Sequence, residues 1–163
     1  MRIFLYSLLL VAIVVHSGAS GGDKEKFKWM SFNEGVAAAK QSGKKVMVDV
    51  YTDWCGWCKR MDKDTYSDGT IADYLSKNYV AIKLNAESAG KLAYKGHSYT
   101  ERELAAAFGV NGYPSIIFLT QDGEPITVYP GYADPQKFKT VLSYIAEDYY
   151  KTTKFQDYVE NRK

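Results

Sequence analysis

Three short apolar runs constrain this chain most: KKVMVDVYT at 44–52, YVAIKLN at 79–85 and SIIFLT at 115–120. The first two are β-branched runs of the kind a strand shows when it is buried on both faces of a sheet. Between the runs lie stretches with helix-start signals. Ser31 with Glu34 forms a capping box ahead of FNEGVAAAKQS, and Gly43 ends that helix. A further helix should start at Cys55 and Cys58, and the helical stretch TIADYLSKN follows the SDG turn. Thr100 with Glu103 makes a second capping box for ERELAAAF, closed by Gly109.

The flanks complete the pattern. FKWM, Phe27 to Met30, reads as a short strand, and the segment Ala86 to Ser98 is polar and mixed, with His97 as an exposed loop residue. SIIFLT and ITVYP flank QDGE, where Asp122-Gly123 is a hairpin signal. Asp134 and Pro135 open a long helix over QKFKTVLSYIAEDYYK, and the tail TTKFQDYVENRK adds a helical turn or two. The order β-α-β-α-β-α, hairpin, α predicts an α/β fold, a central mixed sheet flanked by helices, with antiparallel edge strands from the terminal hairpin.

A chain of 163 residues fits one domain with a core that needs no disulfide as a staple. Twenty-one basic residues against 19 acidic ones give no reason to expect a nucleic acid or an anionic membrane surface as partner. Arg2, the apolar run Ile3 to Val15 and the small residues of HSGASGG read as a signal peptide over 1–20, cleaved after Ala19 or Ser20. The run is short for a membrane span, which needs about 20 apolar residues, although an uncleaved anchor is the alternative. Residues 21–26 form a polar leader and 27–163 the folded domain. Either way the domain is expected outside the cytoplasm, periplasmic or secreted, where an exposed thiol pair oxidises unless something reduces it.

Cys55 and Cys58 are the only cysteines. A structural zinc site needs about four Cys or His ligands, and after signal removal the chain offers these two and His97. Two thiolates also suit Cu(I), but no Met or His cluster accompanies them. As a purely structural bridge the pair would close a loop too small to remove much unfolded-state entropy. A redox pair explains the setting better. A Cys55 sulfur at the start of a helix is favoured as thiolate by free N–H groups and the helix dipole. It can attack a substrate disulfide, and Cys58, one turn on, can resolve the mixed disulfide and leave a Cys55–Cys58 bond.

VDVYTDWCGWCK, YVAIKLNAES, VNGYPSIIFLTQDGE and VYPGYAD resemble, in that order, the successive blocks of the thioredoxin family, over roughly Phe27 to Tyr150. The resemblance implies a thioredoxin fold with Cys55 as the exposed nucleophile and Cys58 as the buried resolving thiol. It implies that Asp49 is a buried carboxylate moving the proton of the resolving Cys, that Lys83 lies beside it, and that Pro114 is a cis-proline facing the disulfide. Trp54 matches the aromatic before the pair and Gly131 a glycine of the substrate-docking surface; Gly56, Trp57 and Tyr113 complete that expected surface. Simpler roles remain open: Asp49 as a strand-end carboxylate, Lys83 as a lysine reaching solvent from a strand end, and Trp54 and Gly131 as packing and turn residues.

The chain departs from cytoplasmic thioredoxins in having Gly56-Trp57 between the cysteines and Tyr113 before Pro114. It also has an enlarged segment, ESAGKLAYKGHSYTERELAAAFG, before the proline loop. In this it looks like bacterial periplasmic thioredoxin-like proteins, including the reducing domains served by membrane electron carriers. The expectation is a monomeric oxidoreductase without cofactor or metal, reducing protein disulfides with electrons from a membrane donor. An oxidase or isomerase, or a non-catalytic copper-handling or binding module, are the alternatives.

Overall fold

The computed structural model describes residues 27–162; the expected signal peptide and leader lie outside them. A five-stranded sheet organises the chain in the order β1-β3-β2-β6-β7. Its strands are β1 (Trp29–Met30), β2 (Lys45–Tyr51), β3 (Tyr79–Asn85), β6 (Ser115–Leu119) and β7 (Pro125–Pro130). β1, β3 and β2 run parallel, β6 is antiparallel to β2, and β7 is antiparallel to β6. The helices are α1 (Phe32–Ser42), α2 (Gly56–Met61), α3 (Gly69–Asn78), α4 (Glu101–Ala107), α5 (Pro135–Ala146) and α6 (Phe155–Glu160). A π-helical turn, Asp62–Tyr66, continues α2, and a single 3₁₀ turn, Tyr149–Lys151, follows α5.

Strand periodicity divides the core into two layers. Met47 on β2, Tyr79 and Ala81 on β3, and Ile116 and Phe118 on β6 pack with Leu75 of α3 and Phe138 and Leu142 of α5. The alternate residues Val46, Val48, Val50, Ile82, Leu84 and Ile117 pack on the other face with Phe32 and Ala39 of α1 and Leu104 of α4. Each of the larger fully buried side chains contributes about 1.5–3 kcal/mol. α1 approaches β3 so closely that a Cβ on Gly35 would stand 2.4 Å from Ile82 Cγ1, which explains a glycine inside a helix.

The helix starts are built as their local signals require. Glu34 accepts hydrogen bonds from the Ser31 N–H and hydroxyl, and Glu103 and Thr100 exchange bonds between side chain and backbone N–H in both directions. Asp134 caps α5 through the N–H of Lys137 at 2.8 Å.

Four expectations are corrected. The terminal hairpin does not supply two edge strands: β6 lies inside the sheet, paired with β2 and β7, and only β7 is an edge. The segment read as polar and mixed contains a separate two-stranded hairpin, β4 (Lys91–Tyr94) with β5 (His97–Thr100), turning through Lys95 and Gly96 at positive φ. His97 therefore begins a strand, where it is exposed. The long C-terminal helix stops at Ala146 because Asp148 takes a left-handed conformation, φ 62°.

The β4–β5 hairpin covers the α1 side of the sheet. Leu92 enters that core layer, Tyr94 packs on Phe32 and Phe108, and Asn33 bonds the Ala93 backbone through both amide atoms. Its tip docks on the β6–β7 turn through Tyr94 to the Gly123 carbonyl and Lys95 to Glu124.

Candidate active site

β2 ends at Tyr51, and Thr52 to Cys55 carry the chain into α2. The Cys55 N–H donates to the Thr52 carbonyl at 3.2 Å, and Cys55 caps α2, its sulfur accepting from the Cys58 N–H at 3.1 Å. Cys55 and Cys58 are joined as a disulfide with Cα atoms 5.3 Å apart. Both cysteines are buried, at 4% and 3% exposure. This corrects the expectation of an exposed Cys55 beside a buried Cys58: in the oxidised pair the linked sulfurs are equally withdrawn. Exposure belongs instead to their neighbours, Trp54 at 66% and Trp57 at 55%.

The two indoles are held differently. Trp54 Nε1–H donates to Glu87 at 2.9 Å, and its ring meets Tyr113 edge-on at 6.0 Å. Arg102 in turn donates to the Glu87 carbonyl. Trp57 lies against Tyr132, with the Arg60 guanidinium over both rings at 5.3 and 5.7 Å. Gly56 between them is exposed, with open space where a Cβ would be.

The loop before β6 carries Tyr113 and Pro114, joined by a cis peptide bond. Gly131, at φ 84°, donates its N–H to the Pro114 carbonyl at 2.8 Å, so the glycine fixes this loop against the end of β7. A side chain would strain that backbone.

Asp49 follows Met47 by two residues on β2 and so shares its face of the sheet. Its register partner on the parallel strand β3 is Lys83, and Lys83 Nζ donates to Asp49 Oδ2 at 2.6 Å. Asp49 is 1% exposed. The lysine also bonds Asp62 at 2.5 Å and lies 4.7, 4.9 and 5.4 Å from the ring centres of Trp29, Tyr51 and Tyr66. Burial pushes the Asp49 carboxyl above the usual aspartate value, and the Lys83 charge offsets this only in part. Burial opposes the charge on Lys83, but Asp49 and Asp62 together hold its pKa above the ordinary lysine value. Burial raises the Tyr66 phenol well above its usual value, and the charge of Asp49 adds to this.

Of the residues singled out in the sequence, the structure thus joins Cys55 to Cys58, Asp49 to Lys83, Trp54 to Tyr113 and Pro114 to Gly131. Sequence reasoning missed Asp62, Tyr66, Glu87, Arg60 and Tyr132. The first two lie on a turn with no breaker residue to announce its π geometry. For Glu87 the available signals were its place in the block AES that follows β3 and at the head of the enlarged segment. Among the described residues no group of three or more His, Cys, Asp or Glu could hold a metal ion.

The model of the Thioredoxin-like domain family matches residues 32–146, most of the described chain. The chain belongs to the thioredoxin-like domain family. Among curated relatives it is 35% identical over 97 residues to the thiol:disulfide interchange protein DsbD of Pseudoalteromonas atlantica, covering 59% of this chain and 15% of that protein. With the same-named protein of Yersinia pestis it shares 29% identity over 147 residues, covering 83% of this chain and 23% of that one. It therefore spans less than a quarter of the length of these relatives. Among solved structures it is similar to a disulphide-isomerase candidate from Bacteroides thetaiotaomicron, at TM-score 0.56 and 32% identity over 73% of this chain and 91% of that one. A thioredoxin-fold protein from Helicobacter pylori gives TM-score 0.62 at 23% identity, covering 74% and 84% of the two chains, and supports the fold. In this thioredoxin-like domain, β4–β5 and α6 extend the layers around the sheet.

Proposed function

We propose that this domain is a thiol-disulfide oxidoreductase that works outside the cytoplasm and reduces protein disulfides through Cys55 and Cys58. The observation that carries this reading is the Cys55–Cys58 disulfide itself. It closes within one helical turn of a domain with two full core layers, so it contributes little as a staple. Two exposed tryptophans beside it offer apolar surface to a protein partner.

In the reduced protein the Cys55 thiolate attacks one sulfur of a substrate disulfide, forming a mixed disulfide and releasing the other substrate sulfur as a thiolate. Cys58 then loses its proton and attacks the Cys55 sulfur. The second substrate sulfur leaves, the Cys55–Cys58 bond forms, and two electrons have passed to the substrate. Asp49 is the proposed acceptor for the Cys58 proton. Burial raises its pKa toward that of a thiol, which narrows the gap the proton must cross. Lys83 holds Asp49 as the carboxylate until the proton arrives. The face around Trp54, Gly56, Trp57, Tyr113 and Gly131 is proposed to receive the substrate chain, with backbone groups of the Pro114 loop available to an extended segment.

The apolar N-terminal run of the sequence supports the compartment, and the name of the curated relatives, thiol:disulfide interchange protein, supports the reaction; a reductase working there needs a membrane-bound source of electrons. Dithiothreitol-driven insulin reduction tests the activity, run beside a Cu(I) titration of the reduced protein. Reduction that is lost in Cys55→Ser supports the oxidoreductase. Absent reduction with tight copper binding favours the metal-handling alternative.

A further inference from the structure

The turn Asp62–Tyr66 winds as a π-helix directly after α2. Such turns accommodate an extra residue, re-aim the side chains on it and recur at functional sites. Here two of its side chains reach one buried pair. Asp62 bonds Lys83 from one end of the turn, and Tyr66 at the other end brings its ring centre to 5.4 Å from the same ammonium. The turn is anchored by the Thr65 hydroxyl, which donates to the Ala133 carbonyl at 2.7 Å. The Tyr66 ring is fixed edge-on against Trp29 at 4.9 Å and Phe138 at 5.7 Å.

Asp49 has two carboxylate oxygens in different situations. Oδ2 accepts from Lys83, whereas Oδ1 is buried without a hydrogen bond. The Tyr66 hydroxyl is likewise buried without a hydrogen bond. One is an acceptor and the other a donor, and both border the Lys83 ammonium, which bonds Asp49 at 2.6 Å and lies 5.4 Å from the centre of the Tyr66 ring. Leaving both unmade costs the desolvation of two groups; a single bond between them relieves both.

We propose that Tyr66 is a positioning residue for Asp49, its hydroxyl donating to Oδ1 so that the carboxylate is held at both oxygens. The groups acting on Asp49 are Lys83 from β3 and Asp62 and Tyr66 from the π-helical turn, while β6 presents the apolar Ile116 opposite it. Lys83 favours the carboxylate by charge and by its hydrogen bond, Asp62 opposes it by like charge, and the proposed bond from Tyr66 favours it without adding charge. Removing the hydroxyl therefore shifts proton affinity without altering any formal charge. The consequence for catalysis rests on the proposed role of Asp49 as proton acceptor.

The test is a ¹³C-detected titration of the Asp49 carboxyl in the oxidised protein, wild type against Tyr66→Phe, with the pH profile of insulin reduction measured alongside. Tyr66→Phe keeps the packed ring. The Asp49 midpoint should move up by roughly one pH unit, the size expected for one charge-assisted hydrogen bond, and the acidic limb of the activity profile should move with it. A fluorinated tyrosine at position 66, whose more acidic hydroxyl donates more strongly, should move the midpoint down. A midpoint that moves in neither variant overturns the proposal. The titration needs no turnover, so a protein inactive on insulin would overturn the proposed function while the Asp49 midpoint still decides the role of Tyr66.

Discussion

Asp49 and Lys83 stand opposite each other on adjacent parallel strands, joined at 2.6 Å on a sheet face otherwise packed with apolar side chains. The pair is not a device for stability. Taking a carboxylate out of water costs more than this partner returns, which is why the Asp49 pKa rises despite the neighbouring ammonium.

The linkage has a definite sign. A carboxyl whose folded pKa exceeds its unfolded value of 3.8 binds its proton more tightly in the folded state. That contribution to stability is fully present below the unfolded pKa and is lost as pH rises through the folded one. Asp49→Asn should therefore stabilise the oxidised protein at neutral pH by on the order of 1 kcal/mol, because Lys83 keeps Asp62 and its aromatic neighbours. The gain should shrink toward zero near pH 4. Thermal unfolding at the two pH values checks this, and a variant less stable than wild type at neutral pH contradicts it.

The two cysteines are equally buried when oxidised, so their roles are separated by position. Cys55 caps the helix and Cys58 lies within its first turn. Cys58→Ser should accumulate mixed disulfides with protein substrates, and Cys55→Ser should not. Alkylation of the reduced protein near neutral pH should label Cys55 first; faster labelling of Cys58 reverses the assignment.

Glu87 links the enlarged segment to the site by holding the Trp54 indole. Glu87→Ala should lower the rate on a protein disulfide about two- to tenfold, the range of one hydrogen bond, while leaving the rate on a small aromatic disulfide unchanged. An equal loss on both substrates would mean that Glu87 supports the fold and not substrate contact.

The contrast between Glu87 and the hairpin beyond it shows what was legible in the sequence. The buried runs around Met47, Ile82 and Ile117 announced themselves, because a strand covered on both faces leaves a continuous apolar signature. The capping boxes at Ser31 and Thr100 were equally plain, since every partner lies within three residues. The β4–β5 hairpin was not, because within β4 only Leu92 is buried and its turn places the non-glycine Lys95 at φ 50°. The position of β6 inside the sheet depends on pairing with β2 across more than sixty residues, which no local pattern encodes. In the site, Cys55, Cys58, Asp49 and Pro114 were visible through ordered motifs. Asp62 and Tyr66 were hidden because their contacts depend on one turn being wound as a π-helix.

The direction of electron flow is the central claim. Gly56 and Trp57 bring no positive charge between the cysteines, so the Cys55 thiolate has the helix start and the Cys58 N–H to favour it but not the cationic neighbours that a strong oxidant would add. Equilibrating the protein against graded dithiothreitol and glutathione buffers, with the Cys55–Cys58 pair trapped by alkylation, measures this directly. A midpoint near the thioredoxin value of about −270 mV is the predicted result, and one near the about −120 mV of a strongly oxidising periplasmic dithiol would contradict it.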